Sequence, residues 1–325
     1  MNIGILFGGK SFEHSISIIT AYQLKNKLQD YHNIFMIYFD INGNVYDCSK
    51  LTFKEFKENK KGFKKLNLSK MKLDLIVGAM HGENGEDGLA YNFARINNLP
   101  YFGSKGFGSS ISLDKYKTYQ FLSKNGIDMI DTYLYTYQDY LNGKIIRNYP
   151  IIIKTLNGGS SIGVFVIHNE EEFINQISDI FKYGKKVVVQ PYYKDIIEYN
   201  LALTETDYSN LERINSKDEI FTFENKYTDS FKLLHQQINT DILCEEFKTI
   251  ARRVYNLLDL NGIVRIDFFV IDNHIFVNEI NTTPGALSIG LFNDFISIFN
   301  KSLKILLTEE KIEYICNDIL SGINK

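Results

Sequence analysis

The segment Gly262-Ile263-Val264-Arg265-Ile266-Asp267-Phe268-Phe269-Val270-Ile271-Asp272-Asn273-His274-Ile275-Phe276-Val277-Asn278-Glu279-Ile280-Asn281-Thr282-Thr283-Pro284-Gly285 decides how the rest of the 325-residue chain is read. Its β-branched and aromatic residues are interrupted by Asp272-Asn273, which predicts two antiparallel strands around a tight turn. Simple alternation would put Arg265, Asp267, Glu279 and Asn281 on a solvated face. The spacing favours another use: Asp267 lies five residues before the turn and Glu279 six after it, so the carboxylates are near neighbours across the hairpin. Like charges side by side are destabilising, so a positive group is expected between them. Oxygen-only ligands of the Asp, Glu and Asn kind suit a hard cation such as Mg²⁺, which also binds substrate phosphates. A phosphate cradle is therefore expected elsewhere in the chain.

Composition sets the frame for that search. The length exceeds one typical core and predicts two or three domains. Hydrophobic residues at 44%, charged residues at 23% and a net charge of −3 give no general electrostatic reason to bind nucleic acid or membrane. Three widely spaced cysteines, Cys48, Cys244 and Cys316, fit a reducing compartment better than a disulfide framework. The N-terminus lacks a basic leader with a long apolar run, and no apolar stretch approaches the roughly 18 residues of a membrane span. A cytoplasmic protein is expected.

In chain order, residues 2–7 form a short apolar strand running into Gly8-Gly9-Lys10-Ser11-Phe12-Glu13-His14 and a helix over 15–28. This is the opening of an α/β unit, with ligands expected at the carboxyl end of the strand. The loop lacks the full Gly-x-Gly-x-x-Gly pattern of a dinucleotide site. A second strand is expected at 34–39 and a buried one at 73–80, leading to His81-Gly82-Glu83-Asn84-Gly85-Glu86-Asp87-Gly88. Three glycines among acids and a histidine describe a loop that lets backbone approach a ligand. This first, open-sheet α/β domain is expected to end near 102. A helix is expected over 112–125, carrying Asp114, Lys115 and Lys117.

Strands over 149–154 and 162–167 flank Thr155-Leu156-Asn157-Gly158-Gly159-Ser160-Ser161. This is a flexible loop between antiparallel strands, without the Gly-Lys-Ser/Thr ending of a P-loop. Its backbone N–H groups suit phosphate, and Lys154 adds charge. The strand Val187-Val188-Val189-Gln190-Pro191-Tyr192-Tyr193 ends in an extended segment that can present amide and carbonyl groups to a flat base. Glu198, a strand at 199–204, a polar stretch holding Glu224-Asn225-Lys226-Tyr227 and an amphipathic helix over 241–258 follow. Beyond Gly285 the chain reads as mostly helical, with core residues at 291, 292, 295 and 299.

These motifs together resemble the D-alanine–D-alanine ligase family of the ATP-grasp superfamily. The resemblance spans nearly the whole chain, through Phe-Gly-Gly-Lys-Ser-Phe-Glu-His-Ser-Ile-Ser at 7–17, His-Gly-Glu-Asn-Gly-Glu-Asp-Gly at 81–88, Gly-Gly-Ser-Ser-Ile-Gly at 158–163, Lys-Tyr at 226–227 and the acidic hairpin. It implies an ATP-grasp fold behind an N-terminal open parallel-sheet α/β domain, divided as 1–102, 103–189 and 190–325. It implies ATP-driven activation of a first D-alanine as an acyl phosphate and attack by the amine of a second, giving the peptidoglycan dipeptide. Cofactors would be ATP and Mg²⁺, two ions, with Mn²⁺ able to substitute; partners would be D-alanine and ATP, with a homodimer allowed.

Residue by residue, the resemblance makes Asp267, Glu279 and Asn281 the metal ligands. Lys115, Lys154, Gly159, Ser160, Ser161, Gln190, Pro191, Tyr192, Tyr193, Glu198 and Lys226 would surround ATP. Glu13 would hold the first substrate's ammonium, with His81 and Glu86 beside it. Arg265 and the Gly285 N–H would serve the oxyanion, and Ser160 and Tyr227 would link the loops over Glu13. Three departures stand out. Gln190 replaces a common Glu, Thr155 a common Pro, and Gly290 a common Ser at the second-substrate carboxylate, leaving Ser288, Gly290 and Leu291 for that task. The alternatives are a second substrate such as D-serine or D-lactate, or a non-catalytic nucleotide-binding protein.

Overall fold

The computed structural model describes residues 1–58, 62–159, 161–194, 196–214, 235–238 and 241–308. Three sheets organise them. The first has six strands, β1 (Asn2–Gly8), β2 (Asn33–Phe39), β3 (Val45–Asp47), β4 (Lys64–Lys65), β5 (Leu75–Gly78) and β6 (Tyr101–Phe102), in the order β4-β3-β2-β1-β5-β6. β1 pairs in parallel with β2 and β5, and β5 with β6, while β3 and β4 are antiparallel additions. Ile3, Ile5, Phe7 and Val77 are fully buried, as expected of parallel strands covered on both sides. The following helix, His14–Leu28, packs Ala21, Leu24 and Leu28 into the same core.

The second sheet contains β7 (Tyr133–Thr136), β8 (Ile151–Thr155), β9 (Val164–Ile167) and β10 (Lys186–Pro191), antiparallel in the order β7-β10-β8-β9. Its alternation separates two faces. Ile151, Ile153, Val187 and Val189 bury themselves with Phe173 and Ile180 of the helix Glu170–Ile180. Lys154 and Gln190 lie on the other face, opposite Val188 and Ile152 in the register.

The third sheet, β11 (Ile197–Leu203), β12 (Leu211–Ile214), β13 (His235–Ile238), β14 (Val264–Ile271) and β15 (His274–Asn281), runs in the order β13-β12-β11-β14-β15. Tyr199, Leu201, Ile266 and Phe268 form a core with Phe247, Ala251 and Val254 of the helix Asp241–Leu257. Phe268 is fully buried, its ring edge-on to Phe247 at 5.0 Å. The hairpin turn has left-handed Asp272 and Asn273, φ 50° and 63°, the hand that matches strand twist. Asp267 pairs with Glu279 and Phe268 with Val277, so Asn278 is a bulge between them. That extra residue switches β15 from burying Ile275 and Val277 to burying Ile280, leaving Glu279 and Asn281 on the polar face.

Two expectations are corrected. The helix expected over 112–125 is two helices, Gly106–Leu113 and Lys115–Lys124. Asp114 is extended (φ −87°, ψ 101°), and its side chain accepts from the Lys117 N–H at 2.9 Å, so it caps the second helix instead of continuing the first. The segment after Pro284 is not ordinary helix either: Ala286, Leu287 and Ser288 are left-handed, with φ of 48°, 46° and 54°, before the helix Phe295–Thr308 begins. The expected core residues Leu291, Phe292, Phe295 and Phe299 are all buried.

Candidate active site

The polar faces of the second and third sheets meet. Lys154 Nζ lies 3.4 Å from Asn278 Oδ1 and over the Phe269 ring at 5.5 Å. On the third sheet, Arg265 stands opposite Asn281 and Asp267 opposite Glu279, so all four side chains share one face. β11 adds Glu198 opposite Phe269 and Asn200 opposite Asp267 on that same face.

Each hairpin acid has a protein cation. Arg265 binds Asp267 through two parallel bonds, Nε to Oδ1 at 2.6 Å and Nη2 to Oδ2 at 2.8 Å. Burial lowers the guanidinium's proton affinity, but Asp267, with Glu212 and Glu279, more than offsets this and holds Arg265 firmly charged. Lys115, from the capped helix, donates to Glu279 Oε1 at 2.9 Å and to the Gly158 carbonyl. The positive group expected between the two acids is thus a pair of side chains, one on each carboxylate. Asn281 Nδ2 donates to Asp267 Oδ2 at 3.0 Å, which leaves the Asn281 amide oxygen as the acceptor. No group of three His, Cys, Asp or Glu side chains clusters for a metal among the described residues. The donor set is two carboxylates and an amide, all oxygen, and its chemistry fits a hard divalent cation.

A second acidic pocket forms at the carboxyl ends of β1 and β5. Glu13 is the N-cap residue of the helix His14–Leu28, and Glu86 lies in the 81–88 loop. Glu86 Oε2 accepts from the Gly82 N–H at 2.9 Å, while Oε1 accepts from Thr283 N–H at 2.9 Å and Thr282 Oγ1 at 3.1 Å. One carboxylate therefore ties the first sheet's loop to the end of the acidic hairpin. Burial and the charge of Glu13 push its pKa up to about 7 despite those donors. His81 is buried, with Nε2 2.9 Å from Thr20 Oγ1, and burial lowers its pKa. The Thr20 hydroxyl in turn accepts from the Ala286 N–H at 3.1 Å, at the start of the left-handed turn.

The glycine loop closes on this pocket. A Cβ on Gly159 would lie 2.8 Å from both carboxylate oxygens of Glu13, closer than real contacts allow, so any larger residue there must displace the Glu13 carboxylate. Ser161 follows at φ 60°. Gln190 and Pro191 end β10, the Tyr192 N–H donates to the Pro150 carbonyl at 3.1 Å, and Tyr193 is partly exposed. Ser160, Lys226 and Tyr227 lie outside the described residues.

At the expected second-substrate position, Ser288 is buried and its Oγ has no hydrogen-bond partner among the described residues. Gly285 and Gly290 both face open space where a Cβ would be. Leu291 is core, although its carbonyl accepts from the Asn210 N–H at 3.1 Å. Sequence reasoning missed Thr20, Thr282, Thr283, Asn200 and Glu212. The last two are buried and joined by Asn200 Nδ2 to Glu212 Oε2 at 3.1 Å beside the hairpin. Asn200 interrupts a largely apolar strand, which is a usable signal; Glu212, within Leu-Glu-Arg-Ile, and the threonines carry none.

Comparison with known proteins gives one consistent result. Family models described as the D-ala D-ala ligase N-terminus and the D-ala D-ala ligase C-terminus match residues 2–104 and 121–307. A D-alanine–D-alanine ligase of Helicobacter pylori (strain P12) is 33% identical over 348 aligned positions, spanning 100% of this chain and 99% of that protein. The crystal structure of D-alanine–D-alanine ligase from Helicobacter pylori superposes with a TM-score of 0.76 at 29% identity, covering 94% of this chain and 97% of that one. The VanG D-Ala:D-Ser ligase from Enterococcus faecalis shares the fold, with a TM-score of 0.73 at 21% identity over 94% and 98% of the two chains.

Proposed function

The chain belongs to the D-alanine–D-alanine ligase family, of ATP-grasp fold, and from that membership we propose how its residues divide the work. It is an ATP-dependent ligase that joins D-alanine for peptidoglycan synthesis and uses a divalent metal. A first D-alanine carboxylate oxygen attacks the γ-phosphorus and ADP leaves; the amine of a second D-alanine then attacks the acyl carbon, loses a proton and expels phosphate.

In this reading Glu13 holds the first substrate's ammonium, with Glu86 and His81 shaping the pocket behind it. The loop at 158–161, Lys154 and Lys115 grip the phosphates, and Lys226 joins them. Gln190 to Tyr193 border the adenine and Glu198 the ribose. Asp267, Glu279 and Asn281 hold the metal, Mg²⁺ by preference with Mn²⁺ as a substitute. When bound, the cation neutralises charge building on the transferring phosphoryl group. Arg265 is fixed by Asp267 and, with the Gly285 N–H, donates to the oxyanion as the second amine attacks. Ser160 and Tyr227 close the loops over Glu13 and exclude water. Ser288, Gly290 and Leu291 receive the second substrate's carboxylate, with D-alanine as that substrate. The units 1–102, 103–189 and 190–325 close on one another around these groups, in a cytoplasmic homodimer.

The observation that carries this reading is the convergence of Glu13 with Gly159 and of Lys115 with both Gly158 and Glu279. It brings an ammonium-binding acid, a phosphate loop and a metal ligand within one side-chain reach. Incubation with ATP, Mg²⁺ and isotopically labelled D-alanine, followed by mass spectrometry, tests it: labelled dipeptide with matching ADP is the expected product. ADP without the dipeptide, and turnover appearing only with D-serine or D-lactate, overturns D-alanine as the second substrate. Formation of neither ADP nor dipeptide would overturn the ligase reading.

A further inference from the structure

Gln190 sits at the end of β10 on the face that meets the acidic hairpin, the same face as Lys154. The β7–β10 register pairs Val189 with Tyr133 and, continued by one residue, sets Gln190 beside Thr132. Gln190 Nε2 donates to Thr132 Oγ1 at 2.8 Å, and Thr132 Oγ1 donates to the Ile130 carbonyl at 2.8 Å. Gln190 Oε1 is buried and has no hydrogen-bond partner among the described residues.

These bonds fix which end of the amide faces which way. A hydroxyl has one proton, and that of Thr132 is committed to a carbonyl, a group that can only accept. Toward Gln190 the hydroxyl can therefore only accept, so the amide must present Nε2 to it and turn Oε1 the other way. Thr132 is itself buried, which keeps water from supplying a substitute partner. An unsatisfied buried acceptor is costly and is satisfied by a ligand N–H placed against it. A glutamine alone would not discriminate, because its amide can flip and offer either an acceptor or a donor.

We propose that Thr132 is the positioning residue that sets nucleotide-base selectivity, by locking the Gln190 amide as an acceptor for the exocyclic amine of a 6-aminopurine. The inference rests on the ATP-dependent reading above. A 6-oxopurine places a lone pair against Oε1 and is rejected; a purine with no 6-substituent forfeits the hydrogen bond without repulsion. The order of preference is therefore ATP, then purine riboside triphosphate, then inosine triphosphate.

The test measures kcat and KM for dipeptide formation by the full chain with each of these three nucleotides and Mg²⁺. It is repeated in Thr132→Val, which keeps the shape and removes the hydroxyl, and in Thr132→Ser, which keeps the hydroxyl. In the unaltered enzyme inosine triphosphate is disfavoured against ATP by roughly tenfold or more, mainly in KM. Thr132→Val frees the amide to flip and brings the ratio toward unity, and Thr132→Ser restores it. A purely structural role would lower thermal stability and leave the ratio unchanged, which would overturn the proposal. So would inosine triphosphate outperforming the unsubstituted purine in the unaltered enzyme, a readout that needs no variant to fold. Absence of both ADP and dipeptide with ATP itself would instead bring down the ligase reading on which the inference stands.

Discussion

Two pairs of carboxylates among the described residues line the candidate site, and they are held in different ways. On the hairpin, Asp267 and Glu279 are direct neighbours, and each meets a protein cation, Arg265 at 2.6 Å and Lys115 at 2.9 Å. In the pocket at the end of the first sheet, Glu86 is held by neutral donors from Gly82, Thr282 and Thr283, with burial, and then the charge of Glu13, raising its pKa to about 7. The first pair is stabilised by permanent charge. The second is eased by the raised pKa of Glu86, which favours its neutral form beside Glu13.

Replacing the hairpin acids breaks this contrast most severely. Asp267→Asn is expected to cut kcat by about a thousandfold. It also destabilises the fold by roughly 2–3 kcal/mol, because Arg265 loses a two-pronged partner in a largely buried position. Glu279→Gln gives a similar loss of kcat with a stability change of about 1 kcal/mol or less, since its pair with Lys115 is partly solvated. Steady-state kinetics beside thermal melts separates the two. Equal melts, or kcat near that of the unaltered enzyme at saturating Mg²⁺, would remove the distinction.

On the other side of the contrast, Gly159→Ala forces a methyl against both oxygens of Glu13 and should raise KM for D-alanine by about tenfold, with a smaller change in kcat. An unchanged KM would separate Glu13 from the amine site. The last effect is on stability against pH. Glu86 keeps its proton in the folded chain where the unfolded chain has lost it, because its pKa rises from 4.5 to about 7. Its contribution relative to Glu86→Gln is therefore full below pH 4.5 and lost as pH climbs through 7, a difference of about 3 kcal/mol. Melts of the two proteins that stay parallel from pH 5 to 8 would show that Glu86 is ionised throughout.

Much of the hairpin was readable from spacing alone. Asp272-Asn273 announces a turn of the observed hand, and counting outward brings Asp267 to Glu279, as found. The count is uneven by one residue, and the bulge at Asn278 absorbs the difference. What alternation could not reveal was which residue would bulge, since that depends on Phe268 and Val277 claiming the core. The break at Asp114 was obscured because its neighbours all favour helix, and only the capping bond to Lys117 ends the run. The left-handed turn at Ala286 to Ser288 contains none of the residues that advertise that conformation; it is held from outside, by Thr20 on the Ala286 N–H. Contacts such as Glu86 with Thr283 and Gln190 with Thr132 join residues far apart in the chain, and only the tertiary fold brings them together.

The bulge at Asn278 also bears on how this strand tolerates change in length. Losing one residue from a paired strand ordinarily turns every later side chain to the wrong face. Here the bulged position is the exception: excision of Asn278 leaves Val277 against Phe268 and Glu279 against Asp267 in an uninterrupted ladder. The same excision one position to either side removes the core residue Val277 or the hairpin acid Glu279. The hairpin thus holds one dispensable link, next to residues it cannot lose, and a scan of single-residue deletions along 274–281 would find it as an isolated island of folded protein.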